Sequence, residues 1–157
     1  DDTTIEMYGK FGILSKAELA ARKEILFEQY AGVRNIEALT MVDMANKLII
    51  PATVKYTKEL ADTVLAVKEA GVDATIQAEM LADATAKLAE MKKAVKNLSE
   101  VTEKAANAGD AQAVAVAYKD KVMEAMAELR KPADELEVVM PKEEWPMPTY
   151  GDLVFEL

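Results

Sequence analysis

From Ile76 onward the sequence sustains one apolar seam for about eight helical turns: Ile76, Met80, Ala84, Leu88, Met91, Val95, Leu98, Thr102 and Ala105 follow one another at steps of three or four. Only an α-helix lines such residues up on one face, and a face that long needs a partner surface of matching length. After Asn107-Ala108-Gly109-Asp110 the same spacing resumes with Ala115, Tyr118, Val122, Met126, Leu129, Ala133, Leu136 and Met140. Gly109 can end the first of these helices and Asp110 cap the second. A turn this short makes its two helices antiparallel neighbours. Asp73, just after Gly71, is placed to cap the seam helix at its start.

Upstream, Ser15 and Glu18 have the spacing of a capping box, with Leu14 and Leu19 placed as a hydrophobic staple. This helix is expected to run to about Ala31, with Gly32 in the left-handed position after its end. A second helix, capped by Asn35, is expected to reach Ala70 and close at Gly71, with a kink at Pro51. Its later half carries Leu60, Val64 and Val67 on one side and Lys55, Lys58, Glu59 and Asp62 on the other. Pro132 marks a second expected kink. Ala, Leu, Lys, Glu and Met fill the chain against only 6 Gly and 5 Pro, which favours helix because straight side chains lose little rotamer freedom there. The expected fold is all-α: an up-down antiparallel bundle of three long helices plus a shorter N-terminal helix. The same steps suit an extended coiled coil, but glycine-punctuated turns favour a bundle within one chain.

The ends differ from this middle. Residues 1–13 read as a connector, docking through Tyr8, Phe11 and Ile13, and 14–140 as the helical bundle. The first residues, Asp1-Asp2-Thr3-Thr4, lack an initiator methionine, the expectation for a piece of a longer protein; processing gives the same start. Residues 141–157 (PKEEWPMPTYGDLVFEL) bring three prolines together with the one tryptophan. Prolines impose an extended path and large aromatics need a surface to pack on. The tail is expected to lie on its own bundle or on a neighbouring domain.

Several chemistries are excluded or left without a motif. Without cysteine or histidine there is no thiolate nucleophile, Cys-based zinc site, His-dependent triad or Glu-x-x-His di-iron bundle. A net charge of −9 disfavours nucleic acid and anionic membrane surfaces as partners. No apolar run reaches spanning length and no signal peptide stands at the start, so a cytoplasmic location is expected. Acidic pairs such as Asp1-Asp2 and Glu143-Glu144 lack the spacing of a calcium loop and read as solvated surface. Gly9 and Gly12 precede no Gly-Lys-Ser/Thr, so no nucleotide-binding motif is present. The nine methionines suit an adaptable surface, but at helical spacing they read as core.

Residues 36–56 (IEALTMVDMANKLIIPATVKY) resist so plain a reading. Apolar side chains there cover most of the helix circumference, and a helix apolar nearly all round is buried nearly all round. More surface is offered than one bundle covers, which marks an interface. The candidate interface residues are Ile36, Leu39, Met41, Val42, Met44, Leu48 and Ile49, joined by Trp145, Tyr150 and Phe155 from the tail.

The same segments carry a family resemblance. RNIEALTMVDMANKLIIPATVKY (34–56), LSKAELAARKEI (14–25) and WPMPTYGDLVF (145–155) resemble, in order, the C-terminal helical region of type III glutamine synthetases. Met147 and Val154 depart from that pattern, where an aromatic residue and a leucine are expected. The resemblance implies a parent enzyme that joins glutamate and ammonia through a γ-glutamyl phosphate, using ATP and a divalent metal such as magnesium. Its nucleotide, metal and glutamate sites belong to preceding regions, so no catalytic, cofactor or metal residue carries over. The implied role is a non-catalytic accessory domain for assembly and stability of stacked rings. Its partners would be the catalytic domain of the same chain and neighbouring subunits. The alternative is a self-contained helical module binding a peptide or small ligand between kinked helices; an independent enzyme is the third reading.

Overall fold

The computed structural model describes residues 2–155, so Asp1, Glu156 and Leu157 of the expected connector and tail lie outside the described residues. Its helices are α1 (Asp2–Lys10), α2 (Lys16–Met44), α3 (Ile50–Glu69), α4 (Thr75–Ala106), α5 (Ala111–Ala117), α6 (Met123–Val139) and α7 (Tyr150–Phe155). Wider π turns at Ala45–Ile49 and Tyr118–Val122 join α2 to α3 and α5 to α6 without a break. Three long rods of 54, 32 and 29 residues result, and they form the expected all-α antiparallel bundle. α4 lies between α3 and α6, while α2 packs on α5.

The boundary expected at Gly32 is absent. The positive-φ glycines are Gly12, Gly71 and Gly109, and the chain runs helically through Gly32. Gly71 does close its helix: the Gly71 and Val72 N–H groups bond back to the Lys68 and Val67 carbonyls at 3.0 and 3.2 Å. A mid-helix glycine costs about 1 kcal/mol against alanine, and burial of Ala31 and Ala38 on either side of Gly32 offsets it. Asn35 is no cap either. Its Oδ1 accepts the Tyr118 hydroxyl at 2.9 Å, tying α2 to the second π turn.

Pro51 neither stops the rod nor leaves a regular α turn. It has no N–H for the Lys47 carbonyl, and its ring crowds that group. The helix widens ahead of it, and the Ile50 N–H reaches back to the Ala45 carbonyl, five residues away. Pro51 then occupies the first turn of α3, where a missing donor is tolerated. Pro132 sits buried within α6, which continues to Val139.

The other local signals act as expected or close to it. Ser15 Oγ accepts the Glu18 N–H at 3.2 Å while Glu18 Oε2 accepts the Ser15 N–H at 2.7 Å, and these contacts hold the Glu18 carboxyl below its usual range. Asp110 accepts the Ala113 N–H at 2.8 Å. Asp73 stands one residue outside the N-cap of α4, which is Ala74, and accepts the Thr75 N–H at 3.2 Å.

The core centres on Met91, Leu98, Val122, Leu136 and Thr53, all below 2% exposed. Thr53 is satisfied there by the Ile49 carbonyl at 2.8 Å. At the N-terminal end a helix, α1, replaces the expected connector. It buries no residue: Tyr8 is half-buried, but Phe11 and Ile13 are exposed and do not dock. Among the described residues no helix is long and apolar enough to cross a membrane.

Candidate interface

Continuity of α2 through Gly32 decides the shape of the candidate surface. With 3.6 residues per turn, Ile25 and Ile36 stand about three turns apart on one side of the rod. Ile25, Leu26, Val33, Ile36, Leu39 and Met44 fall within about 140° of the circumference, and all are exposed. Ile36 keeps 65% of its surface and Leu39 53%. The opposite side of α2 buries only Ala31 and Ala38, small residues that let α5 approach closely.

Most polar groups around this strip are already partnered, the buried Arg34 Nε excepted. The Thr40 hydroxyl donates to the Ile36 carbonyl at 2.8 Å. Arg34 pairs with Glu37 at 2.5 Å and Lys47 with Asp43 at 2.6 Å. Arg34 also lies over the Tyr30 ring, 5.4 Å from its centroid. Covering the strip would therefore strand few hydrogen-bonding groups.

The residues named from sequence divide into two sets. Ile36, Leu39, Met44 and Leu48 are exposed on the rod, and Tyr150 and Phe155 are exposed on the tail. Ile49 and Trp145 are core residues, 4% and 7% exposed, while Met41 and Val42 are half-buried against the core. Met41 and Val42 lie toward the side of α2 that carries buried Ala38, and Ile49 lies beside buried Ala45, on which the same side continues. Ile25, Leu26 and Val33 belong to the same strip, but an expected break at Gly32 hides their alignment with Ile36.

A second apolar surface is held up by polar contacts. Thr149 and Asp152 form a reciprocal cap on α7: the Asp152 carboxylate accepts the Thr149 N–H at 2.9 Å and the Thr149 hydroxyl accepts the Asp152 N–H at 3.2 Å. Lys142 meets Asp152 at 2.5 Å. That cation and the Thr149 contacts hold the Asp152 carboxyl down at about 2. The Tyr150 hydroxyl contacts Arg130 and donates to Asp134 at 3.1 Å, while the Tyr150 N–H donates to Glu137 at 2.8 Å. Leu153 borders a groove with Met44, Met147 and Pro148, whereas Phe155 is 84% exposed. The T-x-x-D spacing signals this cap in the sequence; the clamp from Arg130, Asp134 and Glu137 has no local signature. Among the described residues no three acidic groups gather as metal ligands would.

Comparison with known proteins gives these surfaces a context. The glutamine synthetase C-terminal domain family matches residues 1–68. A glutamine synthetase of Butyrivibrio fibrisolvens is 35% identical over 99% of this chain and 23% of its own length. A type-3 glutamine synthetase of Dictyostelium discoideum is 26% identical over 98% of this chain and 22% of its own length. A glutamine synthetase of Bacteroides fragilis is 27% identical over 91% of this chain and 20% of its own length. The chain thus spans between a fifth and a quarter of the length of these curated relatives.

Proposed function

The chain belongs to the glutamine synthetase C-terminal domain family, and from that premise we propose that it is a non-catalytic accessory domain whose α2 strip docks on the rest of a synthetase. The carrying observation is the row of exposed large apolar side chains from Ile25 to Met44 on a helix that buries only alanines. Six such residues on one rigid rod form the kind of contiguous patch that marks a protein interface. The exposed end of α7 and Leu48 extend the patch near Met44.

In this reading the partners are the catalytic domain of the same chain and neighbouring subunits. ATP and a divalent metal such as magnesium serve the parent enzyme, at residues outside this chain. The domain's contribution is assembly and stability. Its absence of histidine and cysteine supports a role without proton-shuttling or nucleophilic chemistry.

The test places Ile36→Glu with Leu39→Glu in a full-length synthetase carrying this domain. Light scattering is expected to report a smaller particle, with glutamine formation falling in parallel. The isolated chain with the same changes should keep its helicity, since both side chains already face water. An unchanged particle mass would refute the docking role. Glutamine formation by the isolated chain would refute the non-catalytic one.

A further inference from the structure

The tail after α6 divides into two parts fastened by different means. Met140 and Trp145 are buried in the core, and Met147 packs against it. The turn between them is closed by the Glu144 and Trp145 N–H groups on the Pro141 carbonyl at 3.0 and 3.1 Å. From α3 the Tyr56 hydroxyl donates to the Val139 carbonyl at 3.3 Å, and the Thr53 hydroxyl to Met140 Sδ at 3.6 Å. Residues 140–147 are thus an anchor built on apolar burial.

Past Met147 that means of attachment ends. Pro148 is exposed, and α7 buries no residue. What fastens α7 is a polar clip. The Tyr150 N–H donates to Glu137 at 2.8 Å and the Tyr150 hydroxyl to Asp134 at 3.1 Å. Arg130 lies over the Tyr150 ring, 5.6 Å from its centroid, and pairs with Asp134 at 3.2 Å. Lys142 reaches across from the anchor to Asp152 at 2.5 Å. The Arg130, Asp134 and Lys142 side chains are themselves exposed to solvent. Exposed ion pairs are weak and salt screens them, over about 10 Å at 0.1 M and about 3 Å at 1 M. A helix of six residues has no stability of its own in water, so α7 persists only while the clip holds.

We infer that residues 149–155 form a hinged arm, which lifts off α6 when its ionic clip is screened, while the anchor around Trp145 stays seated. Salt acts on the two parts in opposite senses: it weakens charge pairs but leaves apolar burial intact or strengthens it. Leu153 borders the groove beside Met44 and Met147, so lifting the arm opens the Met44 end of the α2 strip. It also frees Leu153, Val154 and Phe155, which an extended arm carries up to about 24 Å from the hinge. Arm and clip belong to this chain by itself, whether or not the α2 strip docks on a synthetase.

Two signals separate arm from anchor. The Leu153 N–H, bonded to the Thr149 carbonyl at 3.0 Å, reads α7, and the indole N–H of Trp145, the only tryptophan, reads the anchor. Hydrogen exchange of both is followed by nuclear magnetic resonance in the 157-residue chain near neutral pH, with sodium chloride raised from low to high concentration. Rates are expressed as protection over a free peptide of the tail sequence. Leu153 protection is expected to fall roughly three- to tenfold with salt while the indole and the Leu98 amide hold theirs. Arg130→Gln combined with Lys142→Gln should give the lowered Leu153 protection already at low salt, with little further response. Leu153 protection indifferent to salt, or unchanged in the double variant, would overturn the arm. Indole protection falling in step with Leu153 would overturn its separation from the anchor. Should the double variant lose helicity by circular dichroism, the wild-type salt series decides by the same criteria.

Discussion

α2 and α4 are of similar length, 29 and 32 residues, yet they spend their apolar residues differently. α4 gathers Met91, Val95, Leu98 and Ala105 on one seam that its own chain covers completely. α2 buries only alanines fully, with Tyr30, Met41 and Val42 half-buried, and leaves Ile25, Leu26, Val33, Ile36 and Leu39 to solvent. The bundle is therefore complete around α4 from Ala84 onward and unfinished around α2. Apolar content alone does not separate a core helix from an interface helix. What separates them is whether the large side chains face a neighbour of the same chain.

The contrast is sharpest under truncation. Leu98→Ala on the covered seam should destabilise the isolated chain by about 2–5 kcal/mol, the cost of emptying a packed site. Leu39→Ala on the open face should stay within about 0.5 kcal/mol. Chemical denaturation of both variants checks this, and equal losses would break the distinction between the two helices.

A smaller effect probes the join between α2 and the second π turn. Burial raises the Tyr118 hydroxyl above the usual tyrosine range, and Asn35 is its partner. Asn35→Ala should strand that hydroxyl at a cost of about 1–3 kcal/mol. Tyr118→Phe in the same background should recover part of the loss in a double-mutant cycle. Independent, additive losses would contradict the pairing.

The smallest effect concerns α7, which depends on polar contacts rather than burial. Asp152 is held at about 2, below its ordinary 3.8, by Lys142 and Thr149. A lowered value means the cap is present in full above the free aspartate value and is lost as pH falls through about 2. Amide exchange at Leu153 and Val154 should accelerate over that acid window while α4 amides remain protected. Asp152→Asn should remove most of the pH dependence.

The legible parts of this fold were those with local causes. The seam of α4 from Ala84 onward, the Ser15 and Asp110 caps and the Gly71 and Gly109 stops each follow from a few adjacent residues, whereas Ile76 and Met80 of the expected seam stay exposed. Gly32 has the same local look as Gly71, but packing of Ala31 and Ala38 against α5 carries the helix through it. A short-range rule does not contain that packing. Asn35 reads as a cap until Tyr118, far along the chain, claims its side chain. The candidate surface was legible as an excess of apolar residues from 36 to 56. Which of them face outward was not, because that is set by where α4 and α5 pack on the rod, and no short stretch of sequence contains that packing. Ile49 turned inward, Met41 and Val42 packed against the core, and the strip instead began at Ile25.

The central claim is that the outer face of α2 is covered in the intact protein. Carbene footprinting reads this most directly, comparing the isolated chain with a full-length synthetase that carries it. The account predicts protection at Ile25, Leu26, Val33, Ile36 and Leu39 in the longer protein, well beyond any change at Ile76 on α4, itself 70% exposed. Equal labelling of the α2 strip in the two proteins would contradict it.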